Sequence, residues 1–171
     1  MNTIIAELIE LAKLESSAVV DHMVEIDMLA LLNEVYKEGL SLDNKEHNIK
    51  LIISVDNQEI DITDDQYKNK NFMLRGSYEE VRTAVSNLLV NAIRYTPANR
   101  EIKLFASVTD SCVSIGVEDN GVGINYEHIP RLTERFYRVD EGRSREKGGT
   151  GLGLSIVKHV LDRHDAYLHI S

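Results

Sequence analysis

The chain has 171 residues, 43% of them hydrophobic, with no tryptophan and a formal net charge of −9, which suits one globular domain with a proper core. No apolar run reaches the length of a membrane span, no stretch reads as a secretory signal, and the acidity argues against general nucleic-acid binding. With Cys112 alone, no disulfide or zinc framework can form within the chain, and this residue is expected as a buried thiol in a reducing compartment.

In chain order, residues 2–15 predict a helix with a broad apolar face of Ile4, Ile5, Leu8, Ile9, Leu11 and Ala12, followed by a joint at Ser16-Ser17. MVEID predicts a short strand, residues 28–45 a helix and IKLIISV a strand. The acidic, aperiodic stretch 56–71 predicts a loop, and FMLRG a short strand. Ser77 and Glu80 fit a capping box. They open a helix with apolar residues at 81, 84, 85, 88, 89, 92 and 93, which Pro97 ends. EIKLFASVT and CVSIGVE predict paired strands joined at Asp110-Ser111. A glycine loop, a mostly irregular basic segment, a glycine-led helix and a last strand, AYLHIS, complete the chain, with no internal repeat.

Four constellations could carry chemistry. Asn87, Asn91 and Arg94 stand at i, i+4 and i+7 along the edge of an apolar helical stripe. There they are either a solvated edge or the rim of a pocket, where amide oxygens would suit a magnesium ion that already carries phosphates. In EDNGVGI, Asp119 precedes Asn-Gly, ordinarily a hairpin turn, but the following NYEHIPRL shows no alternation to complete a hairpin. The alternative is a loop where Gly121 and Gly123 admit a flat ligand and Asp119 accepts from an exocyclic amine, which would favour adenine over guanine. The third, ERFYRVDEGRSREKGG, is either a solvated basic loop or a lid anchored by Phe136, Tyr137 and Val139. Residues 131–147 carry a net +2, against −11 for the remainder.

The fourth constellation is GGTGLGLSIVKHV, in which Gly148, Gly149, Gly151 and Gly153 lead into an amphipathic helix. Glycines at a helix start let backbone N–H groups approach a phosphate. Leu154 stands where a dinucleotide fingerprint needs its third glycine, and no Lys-Ser/Thr pair follows Gly153, so neither the dinucleotide motif nor the P-loop is matched.

Taken in order, NLLVNAIRYTP, DNGVGI, ERFYRVD and GGTGLGLSIVKHV resemble the N, G1, F and G2 boxes of bacterial sensor histidine kinases. The resemblance covers roughly the whole chain, and four boxes in order are far more specific than any one. YEHIPRLTERFYRVD is similar in detail to the members of that family that serve phosphate-starvation signalling, and NTIIAELIELAKLES to the end of the second helix of the family's dimerisation domain. The resemblance implies an α+β fold of the Bergerat type, a two-layer α/β sandwich with a mixed sheet and helices on one face. It divides the chain into 1–16, the end of a dimerisation helix, and 17–171, a catalytic ATP-binding domain whose last strand is truncated.

Carried over residue by residue, the resemblance implies that Asn87 and Asn91 surround Mg²⁺ and the phosphates of ATP, with Arg94 as a basic phosphate contact and Tyr95 beside adenine. Asp119 accepts from the adenine amine, and Gly121 and Gly123 form its loop. Arg138 is a lid arginine, with Arg143, Arg145 and Lys147 as looser candidates. Gly149, Thr150, Gly151, Leu152 and Gly153 cradle the phosphates. The implied reaction transfers the γ-phosphoryl to a histidine on a separate dimerisation domain, for relay to a response regulator. The implied parent is a homodimer on the cytoplasmic side of the inner membrane. The lid segment 139–147 has little to bury, and ordering by the γ-phosphate is expected.

Two rival classes share these boxes. ATPases of the topoisomerase, MutL and chaperone type resemble one another in carrying a glutamate where this chain has Asn87, and an amide cannot take a proton from water. A regulatory pseudo-kinase would bind nucleotide without transferring phosphate, and a supplied acceptor domain separates the cases. None of the six histidines stands in the family's acceptor context of an acidic residue and then a proline. Incubation with γ-labelled ATP should therefore leave the chain itself unlabelled; acid-labile label on any of its histidines would contradict that reading.

Overall fold

A computed structural model describes residues 2–16, 22–56, 58–60, 72–109, 112–139 and 149–171. Arg143, Arg145 and Lys147, most of the expected lid, the Asp110-Ser111 turn and Ser17 lie outside these residues. The elements are α1 (Asn2–Ser16), β1 (Val24–Asp27), α2 (Met28–Leu42), β2 (Asn48–Val55), β3 (Gln58–Ile60), β4 (Met73–Gly76), α3 (Tyr78–Tyr95), β5 (Glu101–Val108), β6 (Val113–Asp119), a 3-10 segment at Tyr126–Arg131 and α4 (Gly153–Arg163).

Four strands form a mixed sheet in the order β3-β2-β5-β6. β2 and β5 run parallel from Asn48↔Glu101 to Val55↔Val108, and β6 returns antiparallel to β5. The alternation in β5 places Ile102, Leu104 and Ala106 fully inside. They meet Leu31, Leu32 and Val35 of α2 and Val85, Leu89 and Ala92 of α3 in the larger core. β1 and β4 pair separately as an antiparallel ribbon, from which α2 starts at the Asp27 N-cap. This is the α+β sandwich that the motifs imply, with its helices on one face of a mixed sheet.

A second apolar cluster joins Leu11 and Leu14 of α1, Ala84 of α3 and Leu152, Ile156, Val157 and Val160 around α4. Only part of the predicted apolar face of α1 is thereby covered. Ile4, Ile5, Leu8 and Ile9 remain exposed.

Local expectations fail in four places. The polar stretch from 56 contains a strand, because Asp56 takes a left-handed φ of 50° and β3 then folds back on β2 with Ile60 facing the core. Cys112 is exposed, since it precedes β6 at the rim of the sheet. AYLHIS forms no strand, for its alternation meets no neighbouring strand among the described residues. The capping box does not close: the Ser77 hydroxyl makes no cap bond, and the Ser77 N–H donates to His164 Nε2 at 3.0 Å.

Glu80, the other half of that box, receives Arg163 at 3.0 and 2.9 Å from Nε and Nη2, while Nη1 reaches the Leu14 carbonyl at 3.1 Å. One guanidinium thus ties α1, α3 and α4 where it is only 11% exposed. Arg163→Ala leaves Glu80 without that partner, and a loss of about 2–4 kcal/mol is expected in denaturant unfolding. A loss near zero would show that water replaces these bonds without cost.

Candidate functional site

The C-terminal half of α3 is the line along which the predicted residues meet. Asn87 Nδ2 donates to the Thr83 carbonyl one turn earlier, at 3.0 Å. That bond turns Oδ1 towards the start of α4, where it would lie 2.9 Å from a β-carbon at Gly153; Asn91 Nδ2 lies 3.7 Å from the same point. Any side chain at 153 would press on the Asn87 amide, so glycine here keeps the helix start open to the asparagines. Further along α3, the Tyr95 hydroxyl and Arg94 Nη1 approach the β-carbon position of Gly149 at 2.9 and 3.7 Å. The Tyr95 carbonyl and Thr96 Oγ1 approach that of Gly121 at 3.3 and 3.5 Å.

Asp119 ends β6 and is exposed. Its Oδ1 accepts the Gly121 N–H at 2.7 Å, which leaves Oδ2 available to a ligand. Gly123 takes a φ of +71° with open space around it. Gly151, at φ +76°, lies so close to the Phe136 backbone that a β-carbon would come within 2.8 Å, and the Phe136 N–H donates to its carbonyl at 2.9 Å. The next residue, Tyr137, is pinned by a 2.7 Å bond between its hydroxyl and His128 Nδ1 and by Arg131 stacked 4.2 Å above its ring.

Arg138 follows, and its Nε and Nη2 are buried with no hydrogen-bond partner among the described residues. Leaving such donors unmatched is costly, and an incoming anion would relieve it. The first N–H groups of α4 also have no acceptor within their helix, and no side chain caps them. Leu152 contributes only backbone to this end, because its side chain is fully buried; its N–H donates to Thr150 Oγ1 at 3.2 Å. The α4 N-terminus, the two amides of α3 and Arg94 thus lie along one edge of α3, a donor set that fits a polyphosphate carrying a metal ion. Among the described residues no cluster of acids, histidines or cysteines could hold a metal without such help.

The structure brings together Asn87, Asn91, Arg94, Tyr95 and residues 149–153, and sets Asp119 and Gly121 against the end of α3; Arg138 follows two residues after the Phe136 contact with Gly151. It also adds residues that sequence reasoning missed. Thr96 is 3% exposed with its hydroxyl unpartnered beside Gly121. Its place just after Tyr95 was the only available signal. Glu7 of α1 accepts the Thr150 hydroxyl, a contact across 143 positions that no local pattern announces.

The family model described as "histidine kinase-, DNA gyrase B-, and HSP90-like ATPase" matches residues 76–171. The chain belongs to this family. Within it, the chain is classed as a catalytic ATP-binding domain of the bacterial sensor histidine kinase kind. The phosphate regulon sensor protein PhoR of Pseudomonas aeruginosa is 39% identical over 172 residues, covering 100% of this chain and 35% of that protein. The protein of the same name from Haemophilus influenzae is 39% identical over 160 residues, covering 94% and 34%. The chain thus spans about a third of the length of these curated relatives. Among solved structures, the Acinetobacter baumannii histidine kinase AdeS superposes with a TM-score of 0.65 at 21% identity, over 93% of this chain and 65% of that one. The mycobacterial sensor histidine kinase MprB gives 0.63 at 21% identity, over 84% and 81%. These two share the fold.

The Glu7 carboxylate held by Thr150 would repel a phosphate bound at the same loop. Glu7→Gln keeps the shape and removes the repulsion, so ATP affinity should rise by about two- to fivefold, as for a partly screened charge a few ångströms away. Equal calorimetric affinity for variant and parent would show that Glu7 swings clear of the ligand at no cost.

Proposed function

We propose that the chain binds ATP with Mg²⁺ along the edge of α3 and presents its γ-phosphoryl group to a histidine on a separate dimerisation domain. The observation that carries this reading is the convergence of Asn87 and Asn91 on the open start of α4 at Gly153. Phosphates would lie against the N–H groups of residues 149–153, with Arg94 and Arg138 as counter-charges. Asn87 and Asn91 would hold Mg²⁺, which supplies charge neutralisation on the phosphates when bound. Tyr95 would lie beside the adenine, Asp119 would accept from its amine, and Gly121 and Gly123 would admit its plane. Arg143, Arg145 and Lys147 would add positive charge for the phosphates.

Phosphoryl transfer of this kind needs position and charge stabilisation more than covalent help from the protein. Asn87 supports transfer over hydrolysis, because its amide cannot serve as a general base for water. The histidine would pass the phosphoryl group to a response regulator, and the names of the first two relatives support a place in phosphate-starvation signalling. Residues 1–16 would be the end of a dimerisation helix and 17–171 the catalytic domain of a homodimeric parent at the cytoplasmic face of a membrane. No helix among the described residues is long and apolar enough to cross one.

Titration with ATP, ADP and GTP, with and without Mg²⁺, tests the site, and a supplied acceptor domain tests the transfer. Asp119→Asn removes the charged acceptor. Adenine nucleotides should bind about tenfold to a hundredfold more weakly, the worth of one charge-assisted hydrogen bond. Unchanged affinity would make Asp119 a turn residue only.

A further inference from the structure

Beside the C-terminal end of α3 lies a buried pair that this reading does not use. Asp43 closes α2 as its C-cap and is 3% exposed. Its carboxylate accepts the His47 backbone N–H at 2.9 Å and also contacts His47 Nδ1. The opposite ring nitrogen, Nε2, lies 3.1 Å from the carbonyl oxygen of Thr96. Both ring nitrogens therefore face acceptors. A neutral imidazole has one N–H and one lone pair, so only the imidazolium can satisfy both contacts. With the two side chains 3% and 1% exposed, water cannot relieve a misplaced lone pair.

The Thr96 carbonyl is well placed to matter. Thr96 is the C-cap of α3, tied to Ala92 by its N–H at 2.9 Å, and its hydroxyl borders the Gly121 loop. Tyr95 and Arg94 immediately precede it. We propose that His47 is a positioning residue for nucleotide binding: as imidazolium it bonds the Asp43 carboxylate and the Thr96 carbonyl at once, and so fixes the end of α3 that presents Arg94 and Tyr95 and adjoins the Asp119–Gly121 turn. The inference rests on the nucleotide reading above and extends it to a residue outside the boxes.

The charged groups facing His47 are Asp43 from α2, Glu46 from the turn that follows, and Arg94 from α3, which lines a groove with Glu46 and His47 at the end of α3. Burial works to lower the imidazole pKa. The bonds to Asp43 and Thr96 and the charges of Asp43 and Glu46 outweigh it and hold the pKa above the ordinary 6.5. The tie is therefore complete below the ordinary histidine pKa, and it is lost as pH rises through the raised value.

The test measures Mg²⁺-ADP affinity by calorimetry from about pH 6 to about pH 9, for the parent and for His47→Gln, with folding of both checked by circular dichroism. In parallel, NMR follows protonation of the His47 ring in the parent with and without Mg²⁺-ADP. Parent affinity should fall about tenfold as His47 deprotonates, while the neutral glutamine variant binds weakly at every pH. Its profile also corrects for titration of the nucleotide. By reciprocity, nucleotide should raise the His47 pKa by about one unit, the equivalent of tenfold. A merely structural ion pair would change unfolding with pH but would leave this ring titration indifferent to nucleotide. Identical profiles for parent and variant, or a His47 pKa unmoved by Mg²⁺-ADP, overturns the inference. If the variant does not fold, the ring titration decides alone. A parent that binds no adenine nucleotide at any pH overturns the underlying reading, and the inference with it.

Discussion

The burial of Leu152 is the contact on which the site depends. Its side chain is fully inside the cluster formed with Leu11, Leu14, Ala84 and Ile156, whereas the residues on either side of it are glycines. An apolar anchor between Gly151 and Gly153 does what glycine alone cannot: it fixes the backbone while leaving its surface bare. Because Ala84 lies on the same helix as Asn87 and Asn91, the cluster that buries Leu152 also sets the distance from the α4 start to the two amides. On its sheet side, α3 is held by Val85, Leu89 and Ala92 in the larger core. One helix thus joins both cores, and the functional edge runs between them.

Charge is arranged with similar economy. The molecule is acidic, yet its cations near the site either have Nε and Nη2 unmatched among the described residues, as Arg138 does, or are held by aromatic and carboxylate groups that orient the chain, as Arg131 is by Tyr137 and Glu134. α1 adds acids instead. Glu7 meets Thr150, Glu10 meets Thr83 at 2.9 Å, and Glu15 pairs with Arg135 and His159. Four segments, at Thr150, Thr83 of α3, Arg135 and His159 of α4, are therefore tied to one helix.

What could be read from the sequence was whatever is local. The 3.6-residue period of α3, the alternation of β5 and the glycine-led start of α4 each depend on neighbours within a few positions, and each formed as expected. The boxes were legible for the same reason, since each is a short run whose spacing carries its geometry. Failures came where a distant partner outbid a local one. Ser77 and Glu80 have the spacing of a capping box, but His164 and Arg163, more than eighty positions away, take their hydrogen bonds. The alternation of AYLHIS is a strand pattern, and a strand exists only where a second one pairs with it. Glu7 and His47 carried no signal, and Thr96 only its place after Tyr95, because their importance lies in contacts made by packing α1 and α2 around α3.

The site divides physically into a half that is ready and a half that is not. Asn87, Asn91 and the start of α4 are set by two cores, so a ligand there meets groups whose ordering folding has already supplied, and little reorganisation opposes binding. Arg138 is the opposite case. Its buried Nε and Nη2 find no partner among the described residues, and an anion that reached them would remove the penalty of leaving them unmatched as well as add its own bonds. On the proposed reading, two neutral amides and a row of backbone N–H groups would select for phosphate by geometry. A guanidinium with no partner among the described residues would select for it by what its absence costs. Recognition on this edge of α3 therefore does not require a strongly positive surface, which is how a chain of net charge −9 can be built to receive a polyanion.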